Sequence, residues 1–210
     1  VLEVHHLNNS RSQRVLWLLE ELGLDYTIVR YEREPTMFAP ASLQTIHPLG
    51  KSPVVRDGER VIAESGAIIE YLLAQYGQGK LALEPTAPSY WQFRYWMHYA
   101  EGSLMPQLLL KVYMARIGEA ATRLAERVES QVSLHLGFVE QQLGDAEYLA
   151  GEAFTAADIQ MSFPLEVAAA QRLLNDRYPR LRAWLQRVHA RPAYHRALEK
   201  GGKYDYARDS

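Results

Sequence analysis

Residues 77–89, GQGKLALEPTAPS, divide the chain into two stretches with different hydrophobic periodicities, and any fold must accommodate both. Two glycines and two prolines give these thirteen residues the composition of a linker. Before them, short strand-like and helix-like pieces alternate. VLEVHHL (1–7) reads as a buried strand and YTIVRYE (26–32) as another. Between them Val15, Leu18, Leu19 and Leu22 recur at i, i+3, i+4 and i+7, one face of a helix, with Gly23 as its stop. So short a strand–helix–strand unit predicts parallel pairing and a right-handed crossover. An irregular stretch follows (35–49), then a strand at 53–56 that turns at Asp57-Gly58 and returns through RVIA (60–63). A helix over 65–76 buries Ile68, Ile69, Leu72 and Leu73 and ends at Gly77.

After the linker every segment reads helical. SYWQFRYWMHYAEGSL opens a long aromatic-rich helix, broken or bent near Gly102 and Pro106. Leu124, Val128, Val132, Leu136, Val139 and Leu143 make 119–143 a long amphipathic helix. Thr155 and Asp158 form a capping box for the next, with Phe154 and Ile159 as its staple. YPRLRAWLQRVHARP supplies one more, Pro179 suiting its first turn. The expected organisation is a small α/β domain (1–78), a linker (79–88) and an all-α domain (89–210).

Composition excludes several chemistries. A formal net charge of −2 offers no basic field for nucleic acid or an anionic membrane. No apolar run approaches the roughly 20 residues that span a bilayer, and VLEVHHLNNS lacks a secretory pattern, so a cytoplasmic protein is expected. The chain contains no cysteine, so any thiol chemistry must use a ligand's sulfur. The seven histidines make no H-x-x-x-H or HExxH pattern, and adjacent His5 and His6 point to opposite faces of a strand; no metal site is expected.

The order strand–SRSQRVLWLLEELGL–strand, then HPLGKSPVV, ESGAIIEYL and YLAGEAFTAADI, resembles the cytosolic glutathione transferases over about residues 1–200, most of all bacterial and fungal members carrying a serine near the first helix. The resemblance implies a thioredoxin-like N-terminal domain and an all-α C-terminal domain. It also implies a cis peptide bond before Pro53, turning the Ser52 backbone outward to pair with the cysteinyl backbone of glutathione. Read locally, Pro53 caps an edge strand. The family usually has an apolar residue where Ser52 stands; binding through backbone atoms tolerates the change.

The resemblance assigns the remaining peptide contacts. Ser65 would hold the γ-glutamyl carboxylate at a helix N-terminus, Glu64 its ammonium, and Lys51 the glycyl carboxylate. Taken alone, Ser65 is an ordinary N-cap and Glu64 a solvated charge. Glu101, in YAEGSLMP, matches an acidic residue that in several members reaches the ammonium across the dimer. Ser10 is placed to donate to sulfur, while Ser10 with Gln13 also reads as an S-x-x-Q capping box, two roles competing for one hydroxyl. Asn9 and Ser12 are neighbouring donors. No tyrosine lies between residues 1 and 25, so tyrosine-type members match poorly. Tyr90, Trp91, Tyr95, Trp96, Met97, Tyr99, Met105 and Tyr113 are candidates to line an electrophile pocket, although aromatics and methionines at helical spacing also build cores.

The expected activity is glutathione conjugation to small hydrophobic electrophiles by a homodimer, with glutathione as co-substrate and no metal. The rival expectations are a glutathione-dependent peroxidase, isomerase or dehalogenase, and a non-catalytic scaffold.

Overall fold

The computed structural model describes residues 1–207, apart from the side chains of residues 120 and 121. They form two compact units, one of residues 1–84 with the segment from Val188 onward, the other of residues 85–187.

In the first unit, β1 (Leu2–Leu7), α1 (Ser12–Leu22) and β2 (Tyr26–Tyr31) make the parallel crossover, with Leu2 opposite Tyr26 and Leu7 opposite Tyr31. β3 (Val54–Asp57) runs antiparallel to β1, and β4 (Arg60–Ala63) antiparallel to β3, giving the sheet order β2-β1-β3-β4. This is the thioredoxin-like arrangement that the resemblance implies. The hairpin turn falls one residue later than expected: Asp57 still pairs with Arg60, and Gly58 opens the loop with φ 59°, a conformation that glycine adopts freely. α2 (Ser65–Tyr76) follows directly. The central strand β1 buries Val4, His5, His6 and Leu7 on both its faces.

α1 is more deeply buried than one apolar face requires. Besides Val15, Leu18 and Leu19, the side chains of Leu16 and Trp17 lose all exposure. The cause is α8 (Pro192–Gly201), a helix that the sequence reading did not separate and whose residues it placed in the all-α domain. The Trp17 ring stands edge-on to Tyr194 at 4.9 Å. Arg191 holds both oxygens of Glu21, at 2.6 and 2.9 Å. Glu20 accepts from Arg196 at 2.9 Å, Lys200 at 2.5 Å and the Tyr26 hydroxyl at 2.7 Å. Burial alone would raise the Glu20 pKa, but hydrogen bonds from Lys200, Tyr26 and Arg196 hold it below the ordinary glutamate value. Each large apolar side chain that α8 covers adds about 1.5–3 kcal/mol.

The second unit is helical: α3 (Tyr90–Tyr99), α4 (Met105–Ile117), α5 (Thr122–Leu143), α6 (Ala156–Ala170) and α7 (Pro179–His189). Instead of breaking near Gly102, the chain passes from α3 to α4 through a π-helical turn, Ala100–Leu104. On α5 the expected apolar series is buried except for Leu124, which is 53% exposed. Steps of four residues advance about 40° beyond a full turn, so three of them carry Leu124 about 120° from Leu136 and off the buried face. α6 is buried along nearly its whole length, and the Thr155–Asp158 capping box forms as read. Asp158 is fully buried and accepts from the backbone N–H of Leu149 and Thr155, both at 2.9 Å, from the Thr155 hydroxyl at 3.1 Å and from Trp184 Nε1 at 3.1 Å. Among the described residues no helix is long and apolar enough to cross a membrane.

Candidate active site

The loop between β1 and α1 carries Asn9 and Ser10, Ser12 opens the helix, and the structure gives the three different surroundings. Asn9 has φ 49°, and its amide is committed: Nδ2 donates to Asp205 Oδ2 at 2.7 Å and Oδ1 accepts the Asp205 N–H at 2.8 Å. Arg33 Nη2 donates to the Asn9 carbonyl at 3.0 Å and helps fix the loop. Ser12 has no exposure; its Oγ lies 2.8 Å from His6 Nδ1, 2.7 Å from Ser10 Oγ and 3.2 Å from the Leu7 carbonyl. Ser10 keeps a trace of exposure, 4%, with Ser12 as the side-chain neighbour of its hydroxyl.

The S-x-x-Q box does not form at this helix. Arg11 takes the N-cap position in an α conformation with no side-chain bond to the first turn. Gln13 N–H donates to the Ser10 carbonyl at 3.2 Å, while Ser10 Oγ accepts from the Ser12 N–H at 3.2 Å. The hydroxyl therefore lies against the uncapped start of α1, where backbone N–H groups and the helix dipole favour an anion.

At the edge of β3, the Ser52–Pro53 peptide bond is cis. Pro53 has no N–H for the ladder, and the β1–β3 register ends at His5 opposite Val54. Beyond it the Ser52 side chain substitutes for a backbone partner: its Oγ donates to the His5 carbonyl at 2.8 Å and accepts the Leu7 N–H at 3.2 Å. The Ser52 main chain lies outside the ladder, beside exposed Lys51.

At the start of α2, Glu64 is the N-cap residue and Ser65 stands one position inside the helix, so Ser65 is not the cap that local reading suggests. Glu64 has φ 69° and ψ 120°, a conformation that costs a side-chain-bearing residue about 1–3 kcal/mol. Exposed Glu64 and buried Ser65 thus adjoin one helix N-terminus. Arg14 Nη1 donates to Ser65 Oγ at 3.3 Å, bringing a buried guanidinium to the same spot. Sequence reading missed Arg14; the available signal was an arginine within a helix otherwise buried on several faces.

In the helical unit, Glu101 lies half-buried in the π turn. Met97 and Met105 belong to the core rather than to an open pocket, as does Trp96. Gln160 Nε2 donates to the Met97 carbonyl at 3.4 Å. The Tyr99 ring stacks on Tyr95 at 5.4 Å, and its hydroxyl lies 2.7 Å from His135 Nδ1. Burial pushes the Tyr99 pKa well up and that of His135 down. Tyr99 shares a cavity of about 570 Å³ with Trp91 and Tyr95. Tyr113 lies on α4, outside that cavity and half exposed. No group of three or more His, Asp or Glu side chains among the described residues is placed to hold a metal.

Comparison with known proteins agrees with this fold. The family profile described as "Glutathione S-transferase, N-terminal domain" matches residues 3–74, and that described as "Glutathione S-transferase, C-terminal domain" matches residues 102–192. Glutathione S-transferase 3 of Schizosaccharomyces pombe is 37% identical, the match covering 95% of this chain and 88% of that protein. Glutathione S-transferase 1 of Saccharomyces cerevisiae is 32% identical over 95% of each. A glutathione S-transferase crystal structure from Actinobacillus pleuropneumoniae superposes with a TM-score of 0.89 at 36% identity, covering 100% of this chain and 97% of that one. A glutathione transferase family member from Pseudomonas fluorescens, solved with two glutathione molecules bound, gives 0.81 at 25% identity over 94% and 92%. Both domains in order, and relatives matched over nearly their whole length, establish that the chain belongs to the glutathione S-transferase family.

Proposed function

We propose that the protein binds glutathione in its first unit, ionises the thiol beside Ser10, and transfers the sulfur to small hydrophobic electrophiles in a detoxifying role. The observation that carries this reading is the Ser10 hydroxyl, held at the uncapped N-terminus of α1 and free of the capping role its sequence suggests. A free thiol titrates near 8.5, and only its thiolate attacks well. Lowering that value by two units takes roughly 2.7 kcal/mol of preferential thiolate stabilisation. A hydroxyl donor and a helix N-terminus are the groups that provide it. The Ser52 main chain would pair with the cysteinyl backbone, Ser65 would receive the γ-glutamyl carboxylate, Glu64 the ammonium and Lys51 the glycyl carboxylate. Fixing both reactants contributes to the acceleration as well. Support comes from the transferase names of the relatives and from the glutathione held by the Pseudomonas structure.

The test is calorimetric binding of glutathione, followed by ultraviolet titration of the bound thiolate in wild type and Ser10→Ala. Binding is expected with the thiol well below 8.5, and the substitution should return it toward that value, with kcat/KM falling about 10–100-fold, which is 1.4–2.7 kcal/mol. An unchanged thiolate in Ser10→Ala would remove the role of Ser10. Absence of binding would leave the scaffold reading. Product analysis separates conjugation from peroxidase, isomerase and dehalogenase chemistry by showing whether the tripeptide is consumed, oxidised or returned.

The working form is a homodimer in which α2 of one protomer meets α3 of its partner, with Glu101 contributing to the partner's ammonium site. The exposed aromatic face of α3 supports this, Trp91 being 77% exposed and Tyr95 45%. Sedimentation velocity should give a dimer that Trp91→Glu dissociates; a monomeric wild type would refute it.

A further inference from the structure

His6 lies behind the reacting serine and has no part in the scheme above. It is buried on β1, opposite Arg30 of β2. Its Nε2 side faces Gly201 at the end of α8, so closely that a Cβ added to Gly201 would lie 3.4 Å from Nε2. The ring is hydrogen-bonded to the Gly201 backbone. That contact favours the protonated ring, as an accepting carbonyl does, so the neutral ring is assigned its proton on Nε2. Burial, and then the charge of Arg30, push the imidazole down to about 4, so near neutral pH it is uncharged and its Nδ1 is a bare acceptor.

That acceptor decides where two hydroxyl protons point. Ser12 has one proton and three neighbours: His6 Nδ1 at 2.8 Å, Ser10 Oγ at 2.7 Å and the Leu7 carbonyl at 3.2 Å. Nδ1 needs a donor and Ser12 is at ideal distance, so Ser12 donates to His6. Its oxygen then accepts from Ser10, and the resting chain runs Ser10→Ser12→His6, every proton turned inward. Donation by Ser10 to a thiolate requires the opposite direction. If Ser10 alone turns outward, two oxygens 2.7 Å apart face each other without a proton between them. If Ser12 turns to Ser10 as well, its lone pairs meet those of Nδ1 at 2.8 Å. Passing the thiol proton inward to His6 does not relieve the conflict. From 8.5 to about 4 is roughly four and a half units uphill, far more than release to water at neutral pH.

We propose that His6, acting through Ser12, is a positioning residue that holds the Ser10 hydroxyl turned away from the bound sulfur and so limits how strongly that sulfur is ionised. The inference rests on Ser10 as the thiolate's donor. It gives the restraint a use, because a thiol acidified far below ambient pH gains no further thiolate and loses nucleophilicity.

Ultraviolet titration of bound glutathione tests it in wild type, His6→Leu, Ser12→Ala, Ser10→Ala and the His6→Leu/Ser10→Ala double variant. His6→Leu frees the Ser12 proton for Ser10, and Ser12→Ala removes the inward acceptor. Both should lower the thiol pKa, by about half a unit or more, whereas mere structural damage at a binding site would raise it. In the Ser10→Ala background His6→Leu should move nothing. A rise or no change in the single variants, or a shift that persists without Ser10, overturns the proposal. Should His6→Leu fail to fold, the sign of the Ser12→Ala shift alone decides. An unchanged thiol in Ser10→Ala defeats the parent reading, a result distinct from the sign of the His6 and Ser12 shifts.

Discussion

The starts of α1 and α6 carry nearly the same signature, Ser10-x-x-Gln13 and Thr155-x-x-Asp158, and the structure uses them in opposite ways. At α6 the box closes, and four donors converge on a fully buried Asp158 that spans the Leu149 backbone, its own cap and Trp184. At α1 the box stays open: the Ser12 hydroxyl, itself 2.8 Å from His6 Nδ1, lies 2.7 Å from the Ser10 hydroxyl, closer than the Ser12 N–H at 3.2 Å. One helix start is fully satisfied and serves the fold. The other has no closed box, and its dipole faces the serine loop. The same letters therefore become glue or chemistry according to what the neighbouring elements supply.

Substitutions at the two starts should part along the same line. The largest effect on stability is expected at α6. Asp158→Ala strands the Leu149 and Thr155 N–H groups and the indole N–H without an acceptor, and should cost about 3–5 kcal/mol by urea denaturation. Asp158→Asn should recover part of it. A cost below about 1 kcal/mol would mean the box is as dispensable as its counterpart at α1. At α1 the thiolate and kcat/KM effects of Ser10→Ala should come with a stability change within about 0.5–1 kcal/mol. A loss near 2 kcal/mol would identify Ser10 as a cap after all and erase the contrast.

The smallest effect concerns the other end of α1. Glu20 has a folded pKa held below its unfolded value, so its contribution is present above the ordinary glutamate range and is lost as pH falls through the depressed value. Stability should therefore decline more steeply in wild type than in Glu20→Gln as pH falls below the ordinary glutamate range. Equal slopes would show that Arg196, Lys200 and Tyr26 contribute nothing net through this carboxylate.

What the sequence made legible follows interaction range. Apolar spacing located α1, α2 and α5, Asp57-Gly58 marked the hairpin, and Thr155 with Asp158 marked α6, because each signal spans only a few residues. The shortfalls are all contacts at long separation. Arg14 meets Ser65 on another helix. Met97 and Met105 share a composition that suits a pocket or a core, and only packing against neighbouring helices decides for the core. α8 has good periodicity of its own, but nothing local announces that it belongs with residues 1–84.

That last attachment bears on how the chain is made. Arg191 and Glu21 are 170 residues apart, so at about 5–20 residues per second the ribosome needs on the order of 10–30 s to deliver the helix that covers α1. Through that interval the nascent chain carries Leu16 and Trp17 without their cover, a sticky surface that a chaperone at the tunnel exit could occupy. The serine loop and its histidine, synthesised well before α8, reach their working arrangement only when Gly201 arrives behind His6.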